Sequence, residues 1–489
     1  MLRPAAIFRD HMVLQRDVPA AVFGTCDAPV KVALAGRHAE ALPENGRFLV
    51  RLPALPAGGP YILTLESAGE KVEIADVMIG EVWICGGQSN MEFHMYQEQD
   101  SEKELAEDDD PMLRFYTVPD AGRESEAEKK ERHTVWKVLA PNTCADVSAI
   151  AYHAGCRLRE MLDVPVGMVI CCLGGTEIAH WMSRETLASM PEGREQLAAF
   201  ARLVDGITEE RYEHDTAEYQ KQLISYWRDS EHLQAENPGI RPPEIEERLG
   251  PYPWPPPAGP FMPRRPAGLW ENMTCRITPY TVRGLFWYQG ESDSGRAGQY
   301  TALLEAMIRD WRRGFACPRL PFITAQLPIY GADPRNEDWA GIREAQQKVC
   351  ASDPSAAAVC LLDCGEKDNL HPVDKRIPAL RMADAALSMA YGIGSGAPSP
   401  CLVGGGYENG HAVLHFDLPL ASPVGLTSAL RVNGVPAADA KVSGNTLIVP
   451  APSGAVIEYG QENAPDACLF GENGLPVFPF MVTLPENRI

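Results

Sequence analysis

Four short blocks carry residues able to do chemistry: "GGQSNM" from Gly86, "GGTEIAHW" from Gly174, "YQGES" from Tyr288 and "GEKDNLHP" from Gly365. The first ends the apolar run "VWIC" in two glycines that free the backbone for a sharp turn and expose Ser89. A serine hydroxyl becomes a nucleophile only when a base takes its proton, and the imidazole doing so needs an acceptor to fix its tautomer. Asp368 and His371 stand three apart, a spacing that on one turn sets carboxylate against imidazole, and Pro372 restrains the histidine. The backbone N–H groups of Ser89 and Gly175 and the side-chain amide of Gln289 are candidate oxyanion donors. Together these are the parts of an acyl-transfer site.

Each block alone is weak. Gly-x-Ser is usually a turn, a D-x-x-H pair commonly decorates a solvated helix, and "WYQGES" reads equally as core aromatics with a polar stop. Their recurrence at four strand ends is what lifts the joint reading. Among 11 histidines, His371 is preferred to His94 and His180 because it has an acidic neighbour in register. Glu291 lacks the matched second carboxylate that a glycosidase needs. Met91 occupies the last position of what would be a Gly-x-Ser-x-Gly elbow, which argues against a lipase-type α/β-hydrolase.

The elements that must position these residues alternate. Residues 1–78 show strand periodicity between Gly, Pro and Asn turns and are expected to form an N-terminal β module. Over 79–396, apolar strands near 166, 283, 321 and 356 alternate with helical patterns at 148–162, 299–314 and 374–391, predicting an α/β domain on a parallel sheet. A charged, then proline-rich stretch at about 184–265 interrupts it and is expected to be an inserted helical hairpin or lid followed by an extended loop. Residues 397–489 return to β character as a C-terminal β module.

A formal charge of −22 over 489 residues excludes nucleic acid or an anionic membrane as the main partner, while leaving room for a small anion held by local arginines. No apolar run is long enough to span a membrane, and the N-terminus lacks the apolar core of a signal peptide. As written, the chain is expected in the cytoplasm, or outside it or in the periplasm if a leader was trimmed. The 13 cysteines lie in apolar contexts and are expected to be reduced and buried.

The four blocks resemble those of the SGNH (GDSL-like) hydrolase superfamily, specifically the sialate O-acetylesterase family with its GQSNM, GGT, W-Y/H-Q-G-E and D-x-x-H-P blocks. "MVLQRDVPAAVFG", "RDWRRGF", "REAQ", "RMADAAL" and "GLPVFPF" extend the likeness over nearly the whole chain. The resemblance implies a three-layer α/β/α, flavodoxin-like catalytic domain with flanking β modules. It implies Ser89 as nucleophile, His371 as base then acid, Asp368 as its orienter, and Ser89, Gly175 and Gln289 as the oxyanion hole. Gln88, Asn90, His180, Trp181, Glu291 and Arg343 are the expected substrate contacts, and no metal or organic cofactor is required. The implied reaction is hydrolysis of O-acetyl esters of sialic acid. The alternatives are an acetylxylan or other polysaccharide acetylesterase, or an inactive glycan-binding scaffold.

Overall fold

The computed structural model describes residues 1–237, 240–332, 337–422, 425 and 428–484. Its axis is the strand Glu70–Gly87. The first half alternates between exposed and covered residues and pairs antiparallel with Gly58–Ser67, whereas from Val77 onward every residue is buried. That switch follows from sequence: "VMIGEVWICGG" is apolar on both faces and suits a strand covered on both sides. The boundary expected at 78/79 therefore falls inside one continuous strand. Asp76, at φ 51°, bends the chain without ending it, and the buried Arg114 guanidinium holds the bend by donating to Asp76 Oδ1 at 3.0 Å and to the Asp76 carbonyl at 2.6 Å.

Across the central sheet the order is Trp136–Leu139, Asp110–Thr117, Val166–Cys172, Glu70–Gly87, Gly284–Tyr288, Phe322–Ala325, Ala356–Val359. All neighbours are parallel except the first pair. Adjacent residues of a strand point to opposite faces, which places the helices. Trp287 meets Trp311 of the helix Ala297–Gly314 with ring centroids 5.8 Å apart. Phe286 instead stacks at 4.7 Å on Trp83, whose indole N–H donates to Tyr391 of the helix Arg376–Tyr391. Helices thus cover both faces of the sheet, with Trp339–Ser352 packed beside Ala297–Gly314 and Ala149–Leu162 beside Arg376–Tyr391.

The insertion contains the 28-residue helix Glu209–Glu236, which buries none of its residues, the short helix Pro242–Leu249 and an extended proline-rich return. Beyond the α/β region, two four-stranded sheets enclose a separate core that includes Leu414, Leu430, Leu447, Ile457 and Tyr459. The last five residues of the expected C-terminal module, 485–489, lie outside the described residues. None of the 13 cysteines is in a disulfide. No helix among the described residues is long and apolar enough to cross a membrane.

Glu81, fully buried in the central strand, ties the layers together. It accepts from Arg16 Nε at 2.5 Å, Arg283 Nε at 2.8 Å, Gln15 Nε2 at 2.9 Å and the Tyr391 hydroxyl at 2.9 Å. Burial alone would raise this carboxyl, but the donors of Arg283 and Arg16 outweigh it and hold it below the usual range. Its stabilising contribution is therefore present above the ordinary glutamate pKa and lost as pH falls through the lowered folded value. Removing one partner of a buried ion pair leaves the others uncompensated, so Glu81→Ala is expected to cost about 3 kcal/mol of unfolding free energy, measurable by urea denaturation.

Candidate active site

Gly87, at φ 141°, makes the turn out of the central strand. A Cβ there would lie 2.1 Å from the Tyr288 carbonyl, so only glycine lets the two strand ends meet. The chain then enters the short helix Ser89–Glu92, which leaves Ser89 partly accessible. His371 comes from the loop after the last strand of the sheet, 282 residues away, and its Nε2 lies 2.8 Å from Ser89 Oγ. Burial first, and then the charge of Lys375, lowers the imidazole to about 4, so it is neutral and able to accept the serine proton at neutral pH.

The "GGT" turn closes on Ser89. A Cβ at Gly174 would stand 3.3 Å from Ser89 Cβ, and Gly175 adopts φ 64°. The Gly174 N–H donates to Glu92 Oε2 at 2.6 Å, and the Gly174 carbonyl accepts from Arg264 Nε at 2.8 Å. Both hydrogen bonds fix the peptide that presents Gly175. Among the described residues, the N–H groups of Ser89 and Gly175 have no protein acceptor. They are free to serve an oxyanion.

Gln289 does not join them. Its Nε2 is fully buried and already faces Asp293 Oδ2 at 2.6 Å, Thr176 O at 2.9 Å and Gln88 Oε1 at 3.2 Å, while its Oε1 accepts from the Tyr300 hydroxyl. Diverting one of its two N–H groups would orphan a buried acceptor at a cost of about 1–3 kcal/mol. The side chain therefore braces the strand ends, correcting the oxyanion role expected for it.

Asp368 is also displaced from its expected place. The segment after Gly365 is a turn bridged between Glu366 and Asn369, not a helix, so the three-residue spacing does not bring carboxylate and imidazole together. Asp368 is exposed and pairs with Arg241 of the insertion at 2.6 Å. The histidine loop is shaped instead by the Asn369 side chain, which accepts from the His371 N–H at 3.0 Å, and by the buried Lys375 ammonium, which donates to Pro372 O at 2.5 Å and Asn90 Oδ1 at 2.8 Å. Burial lowers Lys375 to about 7 against the opposing pull of Glu291. Asp368→Asn is accordingly expected to cost less than tenfold in kcat/KM, where an aspartate acting on the imidazole would cost about 10⁴-fold. Steady-state kinetics on any turned-over acetyl ester separates the two.

Most of the expected substrate contacts prove to be internal braces. Gln88 Oε1 accepts from the Gly290 and Ser292 N–H groups. Asn90 Nδ2 donates to Glu291 Oε1 at 2.7 Å, and burial raises the Glu291 carboxyl. Trp181 is fully buried, its indole N–H on Thr176 Oγ1 and its ring against Trp287. His180 is 6% exposed, accepts from the Glu177 N–H through Nδ1 and is lowered by burial to about 3. Arg343 is wholly enclosed and donates to carbonyls of Gly460, Glu462 and Asn463, fastening the C-terminal strands to the α/β region. Each is buried and engaged by protein partners, although Glu291 Oε2 and Arg343 Nε have no hydrogen-bond partner among the described residues.

The wall that local reasoning missed comes from the insertion. Trp254, half exposed, lies over the Gly174–Gly175 turn so closely that a Cβ at Gly175 would approach its ring to 2.2 Å, and the Arg264 guanidinium sits 5.3 Å from the same ring. The tryptophan inside "GPYPWPPPAGP" was the one available signal. Elsewhere, Glu98, Glu104 and His153 bring potential metal-ligating atoms within 4.8 Å of one another. That group is self-satisfied, with His153 on Glu98 at 2.8 Å and Glu104 paired with Arg376.

Known proteins resemble this chain in sequence and fold. Residues 265–385 match the family described as "Carbohydrate esterase, sialic acid-specific acetylesterase". The sialate O-acetylesterase of Mus musculus is 26% identical over 437 residues, covering 80% of this chain and 74% of its own. That of Homo sapiens is 23% identical over 429 residues, covering 80% and 71%. A carbohydrate acetylesterase from Xanthomonas citri superposes with a TM-score of 0.75 at 27% identity, over 98% of this chain and 99% of that one. The fold and these likenesses define a carbohydrate esterase, an enzyme that hydrolyses esters. Within that class, the chain is similar to the sialate O-acetylesterases, whose family model its residues 265–385 match.

Proposed function

We propose that the protein is a serine O-acetylesterase of SGNH type that removes acetyl groups from O-acetylated sugars, sialic acid foremost, through an acetyl-Ser89 intermediate. The observation that carries this reading is the 2.8 Å contact between Ser89 Oγ and the neutral imidazole of His371, with two unengaged backbone N–H groups beside it. His371 Nε2 takes the serine proton as Oγ attacks the acetyl carbon. The oxyanion forms against the N–H groups of Ser89 and Gly175. As the C–O bond to the sugar breaks, His371 returns the proton to the departing hydroxyl. Water, deprotonated by the same imidazole, then adds to the acetyl-serine carbonyl, and collapse of that second oxyanion regenerates Ser89 and releases acetate.

A contact of this kind favours a working enzyme over a glycan-binding scaffold. The sugar is the less constrained part, because the catalytic groups recognise acetyl, and the Xanthomonas citri relative is described only as acting on carbohydrate. The test is acetate release from O-acetylated sialic acid and from acetylated xylo-oligosaccharide, side by side. Preferential release from the sialic acid is expected. Release only from the xylo-oligosaccharide would move the enzyme to plant polysaccharide.

A further inference from the structure

Arg264 is out of keeping with its surroundings. Its neighbour Arg265 is neutralised by Glu271 at 2.6 Å, and Arg296 by Glu177. Arg264 has no carboxylate within ion-pair distance among the described residues, and only its Nε is engaged, by the Gly174 carbonyl. The acids whose charges reach it, Glu92 and Asp120, are held elsewhere: Glu92 by the Gly174 N–H, Asp120 by Lys130. In a chain of charge −22, an uncompensated and largely buried guanidinium is costly unless something anionic meets it.

Its place says what that is. The guanidinium and the Trp254 indole stand together against the Gly174–Gly175 turn, which carries the proposed oxyanion donor Gly175 N–H. The insertion holds them there. The Tyr219 hydroxyl of the long helix donates to Pro253 O at 3.0 Å, Tyr226 packs on Tyr252 at 5.5 Å, and Tyr212 fills the space where a Cβ at Gly259 would stand. An exposed indole face stacks on the apolar face of a sugar ring, and a guanidinium pairs with a carboxylate in fork geometry.

Resting on the esterase reading above, we infer that Trp254 and Arg264 form a subsite for an acidic sugar, with the ring on Trp254 and its carboxylate on the free Nη atoms of Arg264, so that the insertion selects carboxylated over neutral substrates. Sialic and uronic acids share this chemistry.

The experiment compares acetate release from O-acetylated sialic acid and O-acetylated galacturonic acid, each as free carboxylate and as carboxyl methyl ester, by wild type and by Arg264→Met and Arg264→Lys. The wild type is expected to prefer the free acid of at least one sugar by tenfold or more in kcat/KM, and the sugar showing it identifies the source. In Arg264→Met that ratio should collapse to about one, with partial recovery in Arg264→Lys. A purely structural arginine would lower activity on acid and methyl ester alike and leave the ratio unchanged, which overturns the inference. A ratio of about one in the wild type overturns it too. Hydrolysis of 4-nitrophenyl acetate, blanked with Ser89→Ala, runs alongside. If it persists while the ratio is one, only the subsite fails. If no acetyl ester is hydrolysed, the esterase reading fails and takes the subsite with it.

Discussion

Ser89→Ala is expected to abolish acetate release, by on the order of 10⁴-fold or more in kcat, while leaving the protein folded. The loss is large because in the proposed mechanism the hydroxyl forms the covalent intermediate, and only the oxyanion donors and binding would remain. The fold should survive because Ser89 Oγ has one side-chain partner, His371, and bears no structural hydrogen bond besides. Kinetics with any hydrolysed acetyl ester checks the first half, and an unchanged urea midpoint the second.

His371→Gln is expected to cost a comparable factor, and the double variant little more than either single one, because the two residues act as a unit. No other histidine can substitute: His180 is buried on the Glu177 N–H, and the His94 ring stacks on Tyr96 at 5.4 Å. The wild-type pH profile carries the same signature. With His371 lowered to about 4, the base is neutral above that pH and is lost on protonation below it. The kcat/KM is therefore expected to rise with pH through about 4 and then hold, where an unshifted imidazole would place the limb near 6.5. An acid limb between 6 and 7 would show that His371 is not held as the structure has it.

The parts of the site that were legible in the sequence are those governed by backbone. Glycines at 86, 87, 174 and 175 mark turns at strand ends, and parallel alternation puts those ends at one edge of the sheet, so the sequence alone points to Ser89 and His371 as neighbours. Side-chain destinations were less legible. Asp368 looked like an orienter because D-x-x-H fits a helical turn, but the loop is not helical and the carboxylate finds Arg241, 127 residues away. Gln289, Trp181 and Arg343 looked available because they are polar-tipped residues at strand ends or on a helix, yet Thr176, Asp293 and the carbonyls around Glu462 absorb them. The same limit hid Arg264 and Trp254, whose approach to Gly175 depends on the path of the whole insertion. The boundary at 78/79 missed for a related reason: a change in which partners a strand pairs with looks, in sequence, like a change of strand.

The most direct test of the central claim is to quench the enzyme during turnover of an activated acetyl ester and locate the acetyl group by peptide mass spectrometry. Acetyl on Ser89 in the wild type, and none at that position in Ser89→Ala, is the expected result. Turnover with no acetylated Ser89 at any quench time, or acetyl carried by another side chain, would contradict the account.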